Sequence, residues 1–332
     1  MTTAIEYALM AGASYRDTRP DINKFPIPAG WSMVSRNPQD NVTGFEAATF
    51  GNSATLATST NIVISFAGTD PSDITGDIAA DLALASGILS AQLKQAADYY
   101  LQVKAANPGA TISFTGHSLG GGLASLMAVM FGESAYTFDQ APFLNSAKTY
   151  SEISPLTGIP TTHSVALELK DYLSGQGFAA DNLTKLDAFI AASNPFNVSP
   201  NPADTLVGRS AQVTNINTDG EFLTSWFLVP SSNRIGSQLN IANSNDGVSG
   251  IDLHSQALLT AFLQSNQTAT VSPSGQVQSL SEVTFNPDNP LGRETMARQV
   301  ARQVCHLREV HRSSMDAEQA AKMAANRPPA LA

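Results

Sequence analysis

The chain lacks the residues that staple or metallate a protein. Its one cysteine, Cys305, has no partner for an internal disulfide, and five histidines spread over 332 residues form no cluster at metal-ligand spacing. No metal and no cofactor is therefore expected. No apolar run approaches the roughly 20 residues that cross a bilayer, so no transmembrane segment is expected either. Residues 1–10 lack the basic and apolar regions of a secretory signal peptide, which leaves a cytoplasmic place and leaderless export both open. Positive charge is scarce as well: 18 Lys and Arg stand against 28 Asp and Glu, a formal charge of −10. That balance excludes nucleic acid as a partner and excludes electrostatic docking on anionic lipid, so contact with a lipid–water interface has to be apolar. No sequence repeat is present.

What the chain does have is length for a substantial core, with 42% apolar residues and a mean hydropathy of −0.06. Charge is uneven along it. Residues 293–332 carry seven Lys and Arg against four Asp and Glu, leaving 11 against 24, or −13, in residues 1–292. Met296, Val300, Val304 and Leu307 recur there at helical spacing, so the tail reads as an amphipathic helix ahead of a Pro-rich disordered end, separate from a domain over 1–292. Within that domain the patterning predicts helices over 5–15, 79–84, 88–106 and 253–264. It predicts strands over 31–35, 44–51, 61–67, 110–115, 135–138 and 211–217. Strands alternating with helices imply the α/β class, with a mostly parallel sheet covered on both faces. Residues 145–210 break the rhythm and read as an insertion with helices near 165–173 and 183–192. Val165, Leu167 and Leu169 on the first, and Leu183, Leu186, Phe189 and Ile190 on the second, form apolar faces that need cover. A cap over a substrate site is the expectation.

The strongest local signal is Gly116, His117, Ser118, Leu119 and Gly120. A buried strand precedes it and an apolar helix with Leu123, Leu126, Met127 and Met130 follows, which is the context of a nucleophile elbow with Ser118 at its tip. A serine hydroxyl attacks only when a base takes its proton, and the base needs an acid to orient it. His117 precedes the serine on the strand side and is read as structural, His163 falls in the insertion, and His306 and His311 fall in the tail. His254 is left as the base. The acid should follow a sheet strand between Ser118 and His254; Asp219 is preferred for its short side chain, and Glu221 is the alternative. For the oxyanion, the backbone N–H of Leu119 comes with the elbow, and Thr69, after the strand over 61–67, is placed to give a second donor.

Three segments carry a family resemblance. Ile64, Ser65, Phe66, Ala67, Gly68 and Thr69 look like a strand and oxyanion loop, with Asp77, Ile78, Ala79, Ala80, Asp81 and Leu82 following. Thr115 to Gly121 matches a nucleophile motif, and Asp252, Leu253, His254 and Ser255 match a histidine segment. Together they resemble the class 3 lipases, fungal and bacterial triacylglycerol lipases. The resemblance implies an α/β-hydrolase fold and carboxylic esters with an acyl chain as substrates. A phospholipase A-type effector acting on membranes is the alternative within the enzyme class, and a catalytically inactive hydrolase fold serving as a binding module is the alternative outside it.

Overall fold

A computed structural model describes residues 2–16, 25–38, 43–68, 86–153, 160–221, 223, 233–241, 254–256, 259, 260, 263, 276 and 277. Thr69, the helix expected over 79–84 and the tail over 293–332 lie outside these residues.

Eight strands form one sheet in the order β1 (Ser32–Arg36), β2 (Ala47–Gly51), β3 (Asn61–Phe66), β4 (Thr111–His117), β5 (Ser134–Phe138), β8 (Val213–Thr218), β9 (Ser237–Ile241) and β10 (Gln276–Val277). The first three pair antiparallel; every pairing from β3 onward is parallel. Inside the insertion, β6 (Thr149–Ile153) and β7 (Pro160–Ser164) make a separate antiparallel hairpin. The helices are α1 (Ala4–Ala13), α2 (Ser86–Ala106), α3 (Leu119–Phe131), α4 (Val165–Gly175), α5 (Ala180–Ser193) and α6 (Leu206–Ser210). This is the α/β-hydrolase arrangement the sequence predicts. Among the described residues, no helix is long and apolar enough to cross a membrane.

The period-two rule explains how the sheet takes cover on both faces. Along β3, Ile62, Ile64 and Phe66 enter the core shared with α2 and α3, while Val63 enters the opposite core with α1. Each of these side chains, fully removed from water, contributes about 1.5–3 kcal/mol. On its N-terminal side α1 is closed by a capping box, in which Thr3 and Glu6 each accept the other's backbone N–H. Its Tyr7 stacks on Tyr136 of β5 at 4.7 Å and donates to Ser113 Oγ of β4 at 2.9 Å.

β9 is a strand where the sequence reads as polar loop. Gln238 and Asn240 alternate with Leu239 and Ile241, and their amides meet those of β8. Asn217 Nδ2 donates to Gln238 Oε1 at 3.0 Å and to Asn240 Oδ1 at 3.2 Å, and Asn215 Nδ2 donates to Gln238 Oε1 at 2.7 Å. Cross-strand amide bonds thus hold the polar face of β9, while Leu239 and Ile241 pack on the core with α1.

The insertion's helices pack into the main core. Leu169 and Leu173 of α4, and Leu183, Leu186 and Phe189 of α5, are buried in the same core as α3. Arg209 of α6 fastens α5 there: Nη1 donates to the Val129 and Met130 carbonyls at the last turn of α3, both at 2.9 Å, and Nη2 donates to Lys185 O at 2.7 Å. The two α3 carbonyls are ones that a helix end leaves open. A helix of 13 residues is about 20 Å long, so this anchorage stands at the far end of α3 from Ser118. The apolar face of α5 is covered by α3 and α4, that of α4 by α2 and α5, and Leu167 stays exposed.

Candidate active site

β4 ends at His117 and α3 begins at Leu119, so Ser118 alone makes the turn, at φ 57° and ψ −125°. A non-glycine residue held there costs roughly 1–3 kcal/mol and persists only when its surroundings fix it. They do: Ser118 N–H donates to Phe138 O at 3.0 Å, and Ser118 O accepts from Gly122 N–H at 3.0 Å and Ala141 N–H at 2.9 Å. The turn also requires bare backbone. A Cβ on Gly120 would stand 2.1 Å from Phe66 O, and one on Gly116 would stand 2.5 Å from the Gly120 carbonyl. The loop after β3 comes equally close, since a Cβ on Gly68 would lie 2.7 Å from His117 O. The segment leading to Thr69 therefore lies against the elbow. As the first residue of α3, Leu119 has an N–H with no acceptor inside the helix.

His254 Nε2 is 2.9 Å from Ser118 Oγ, and His254 Nδ1 is 2.7 Å from Glu221 Oε2. Ser118 is half-buried, and the His254 and Glu221 side chains are sealed from solvent. Nucleophile, base and acid thus come together from β4, the segment before the last described helical residues, and the loop after β8.

The carboxylate that meets His254 is Glu221, the alternative, and not the preferred Asp219. β8 ends at Thr218, whose carbonyl accepts the Glu221 N–H at 3.1 Å, and Gly220 sits at φ 80°. That is a four-residue turn whose third position needs glycine, with Asp219 at its second position and Glu221 leaving it toward the interior. Both ring nitrogens of His254 are already engaged, and Asp219 is fixed through its N–H to Ile241 O at 2.9 Å. Reach matters more than rigidity here.

Burial opposes ionisation of Glu221, but the hydrogen bond with His254 and then the Arg234 guanidinium outweigh it and hold the carboxyl at about 2. Arg234 Nη2 donates to Glu221 Oε1 at 2.6 Å, and Arg234 Nε donates to Gln140 O at 2.6 Å. The Leu223 N–H adds a third bond, to Glu221 Oε2 at 2.7 Å. Gln140 holds the segment that carries the arginine, since Oε1 accepts the Ile235 N–H at 2.8 Å. Sequence reasoning missed Arg234, although it is the sole Lys or Arg between residues 210 and 292. It also gave Asp139 no role. Asp139 follows β5 directly and is fully buried, and burial with the Glu221 charge pushes its carboxyl well above the usual range. His117, buried against His254 with ring centroids 4.8 Å apart, is pushed well below the usual imidazole value, first by burial and then by His254. His117, Asp139 and His254 offer ligand atoms within 4.8 Å of one another. With both His254 nitrogens engaged, only two donors remain, fewer than the three protein ligands of a catalytic zinc site.

Residues 6–156 match the family described as a Tle-like phospholipase domain. Comparison with curated proteins finds no match. Among solved structures, a triacylglycerol lipase from Penicillium expansum is similar at 13% identity and a TM-score of 0.35, over 71% of this chain and 77% of that one. A Rhizomucor miehei lipase–propeptide complex is similar at 12% identity and a TM-score of 0.34, over 84% and 81%. Carboxyl esterase 2 from Tuber melanosporum is similar at 13% identity and a TM-score of 0.30, over 78% and 96%.

Proposed function

We propose that this α/β hydrolase is a carboxylic-ester hydrolase of the lipase and esterase class, working through a covalent acyl-enzyme on Ser118. The observation that carries the reading is the unbroken relay from Ser118 Oγ to His254 Nε2 and from His254 Nδ1 to Glu221 Oε2. Ser118 Oγ attacks the ester carbonyl as His254 Nε2 takes its proton, and the buried carboxylate of Glu221 stabilises the imidazolium that forms. The oxyanion is held by the Leu119 N–H, with Thr69 as the second donor. Collapse of the tetrahedral intermediate breaks the C–O bond, and the alcohol leaves with the proton from His254. Water then repeats the cycle on the acyl-enzyme, and no cofactor takes part.

Within that class, the match of residues 6–156 to a phospholipase domain favours acyl esters of phospholipid over triacylglycerol. The test is hydrolysis of 4-nitrophenyl esters of graded chain length, phosphatidylcholine vesicles and emulsified triolein, each with parent and Ser118→Ala. Fatty-acid release from the vesicles that exceeds release from triolein, and that the variant loses, is the expected result. Vesicles left intact beside rapid triolein hydrolysis would reassign the substrate. Failure of a fluorophosphonate probe to label the parent would instead make the chain a binding module.

A further inference from the structure

Asp139 combines two unfavourable placements. It sits at φ 41°, in the left-handed region that glycine enters without strain, and its carboxyl is fully buried. Oδ1 accepts the Thr218 N–H at 2.8 Å. Oδ2 faces His117 Nε2 at 3.9 Å, and neither atom has a hydrogen-bond partner among the described residues. Two orphaned buried atoms turned toward each other beside a reactive centre require an explanation.

His117 touches the base twice. Its ring lies against that of His254 at 41°, and it is hydrogen-bonded to the His254 backbone. With Nε2 unpartnered, the tautomer that carries its proton on Nδ1 leaves a lone pair on Nε2. A lone pair facing a carboxyl oxygen is satisfied only if that oxygen carries the proton. The environment provides for this, because burial and the neighbouring Glu221 charge favour the neutral acid at Asp139. The gap is about 1 Å longer than a formed bond, a looseness common in catalytic networks before substrate binds.

We propose that Asp139 and His117 are positioning residues for the reaction: the neutral carboxyl of Asp139 donates to His117 Nε2, and His117 fixes the His254 backbone and ring at the angle that reaches Ser118 and Glu221 together. The inference rests on the Ser118–His254 reading of the site. It gives Asp139 a role distinct from that of Glu221, since Asp139 works uncharged and through another residue. The backbone strain at φ 41° is then accepted for the sake of that geometry, because glycine would lack the donor.

The test compares Asp139→Gly, Asp139→Asn and His117→Ala on a short-chain ester. Glycine relieves the strain, so the melting temperature of Asp139→Gly should be equal to or above that of the parent. Its kcat should fall about 10- to 100-fold with KM unchanged, the loss expected when a reacting group is slightly misplaced. Asparagine keeps the acceptor for Thr218 and a donor for His117, so Asp139→Asn should stay within about twofold of the parent. His117→Ala leaves the turn untouched and should lose as much kcat as Asp139→Gly, which makes it the independent measurement should the glycine variant not fold. Parent-like kcat in Asp139→Gly or His117→Ala overturns the proposal, and so does an Asp139→Asn variant as damaged as the glycine one. Inhibition of the parent by micromolar zinc that Asp139→Gly escapes would overturn it too, making the pair a metal site. Ser118→Ala, assayed alongside, separates the two readings: an active Ser118→Ala refutes the site, whereas a dead one beside a fully active Asp139→Gly refutes only the positioning role.

Discussion

Arg234 Nη2 lies 2.6 Å from Glu221 Oε1, on the opposite oxygen of the carboxylate from the one His254 uses, and both side chains are sealed from water. Breaking such a pair from the cationic side leaves a buried charge without compensation, which costs about 3–5 kcal/mol.

The first prediction follows from that pair. Glu221 is held at about 2, below the ordinary carboxylate value of 4.5, so it contributes stability above pH 4.5 that is lost as pH falls toward 2. Arg234→Gln removes the cation and raises the Glu221 value, so the loss begins at higher pH. Circular dichroism across pH 2–6 should show the acid-unfolding midpoint of the variant moved upward by about one pH unit. A midpoint unchanged from the parent would mean that the carboxylate does not depend on the guanidinium.

Removing the charge of the acid itself should separate the two candidates. Glu221→Gln is expected to lower kcat by roughly 10³-fold or more, because an amide can no longer stabilise the imidazolium or fix its tautomer. Asp219→Asn, whose half-buried carboxyl does not meet His254, should stay within about twofold of the parent on the same nitrophenyl ester. The opposite order would return the role to Asp219.

Ser118 and His254 should behave as one unit. Ser118→Ala and His254→Ala should each lose several orders of magnitude in kcat, and the double variant should be little worse than the poorer single one. Multiplied losses would show that the two act separately. Ser118→Gly should be equally inactive yet melt higher than Ser118→Ala, because glycine adopts φ 57° without strain.

The nucleophile was legible in sequence because an elbow imposes its requirements locally: small residues at Gly116 and Gly120, a buried strand before them and a helix after. His254 followed by chain order. The acid was legible only as a pair of candidates, since the choice depends on which residue leaves a glycine-containing turn toward the interior, and no composition rule encodes that. Asp139 satisfied the same rule that nominated Asp219, an acid directly after a strand, but its role depends on a histidine from the neighbouring strand. β9 was hidden because Gln238 and Asn240 on one of its faces read as loop until Asn215 and Asn217 stand beside them. On α5 the apolar face of Leu183, Leu186 and Phe189 was read correctly, whereas on α4 Leu169 is buried and Leu167 exposed, because amphipathic spacing marks a face without fixing its edge.

Arg209 changes what residues 145–210 can be in practice. A segment tied by a guanidinium to the last carbonyls of α3, with Leu186 and Phe189 in the common core, is not a detachable module. A protease cutting the exposed chain around Phe196 and Val198 would yield a nicked molecule whose two pieces co-migrate under native conditions and part only in denaturant. Shortening this region would then expose the flank of α3 and bring insolubility before any change in substrate preference. A change in chain length should be better tolerated at the hairpin of β6 and β7, whose strands pair only with each other among the described residues.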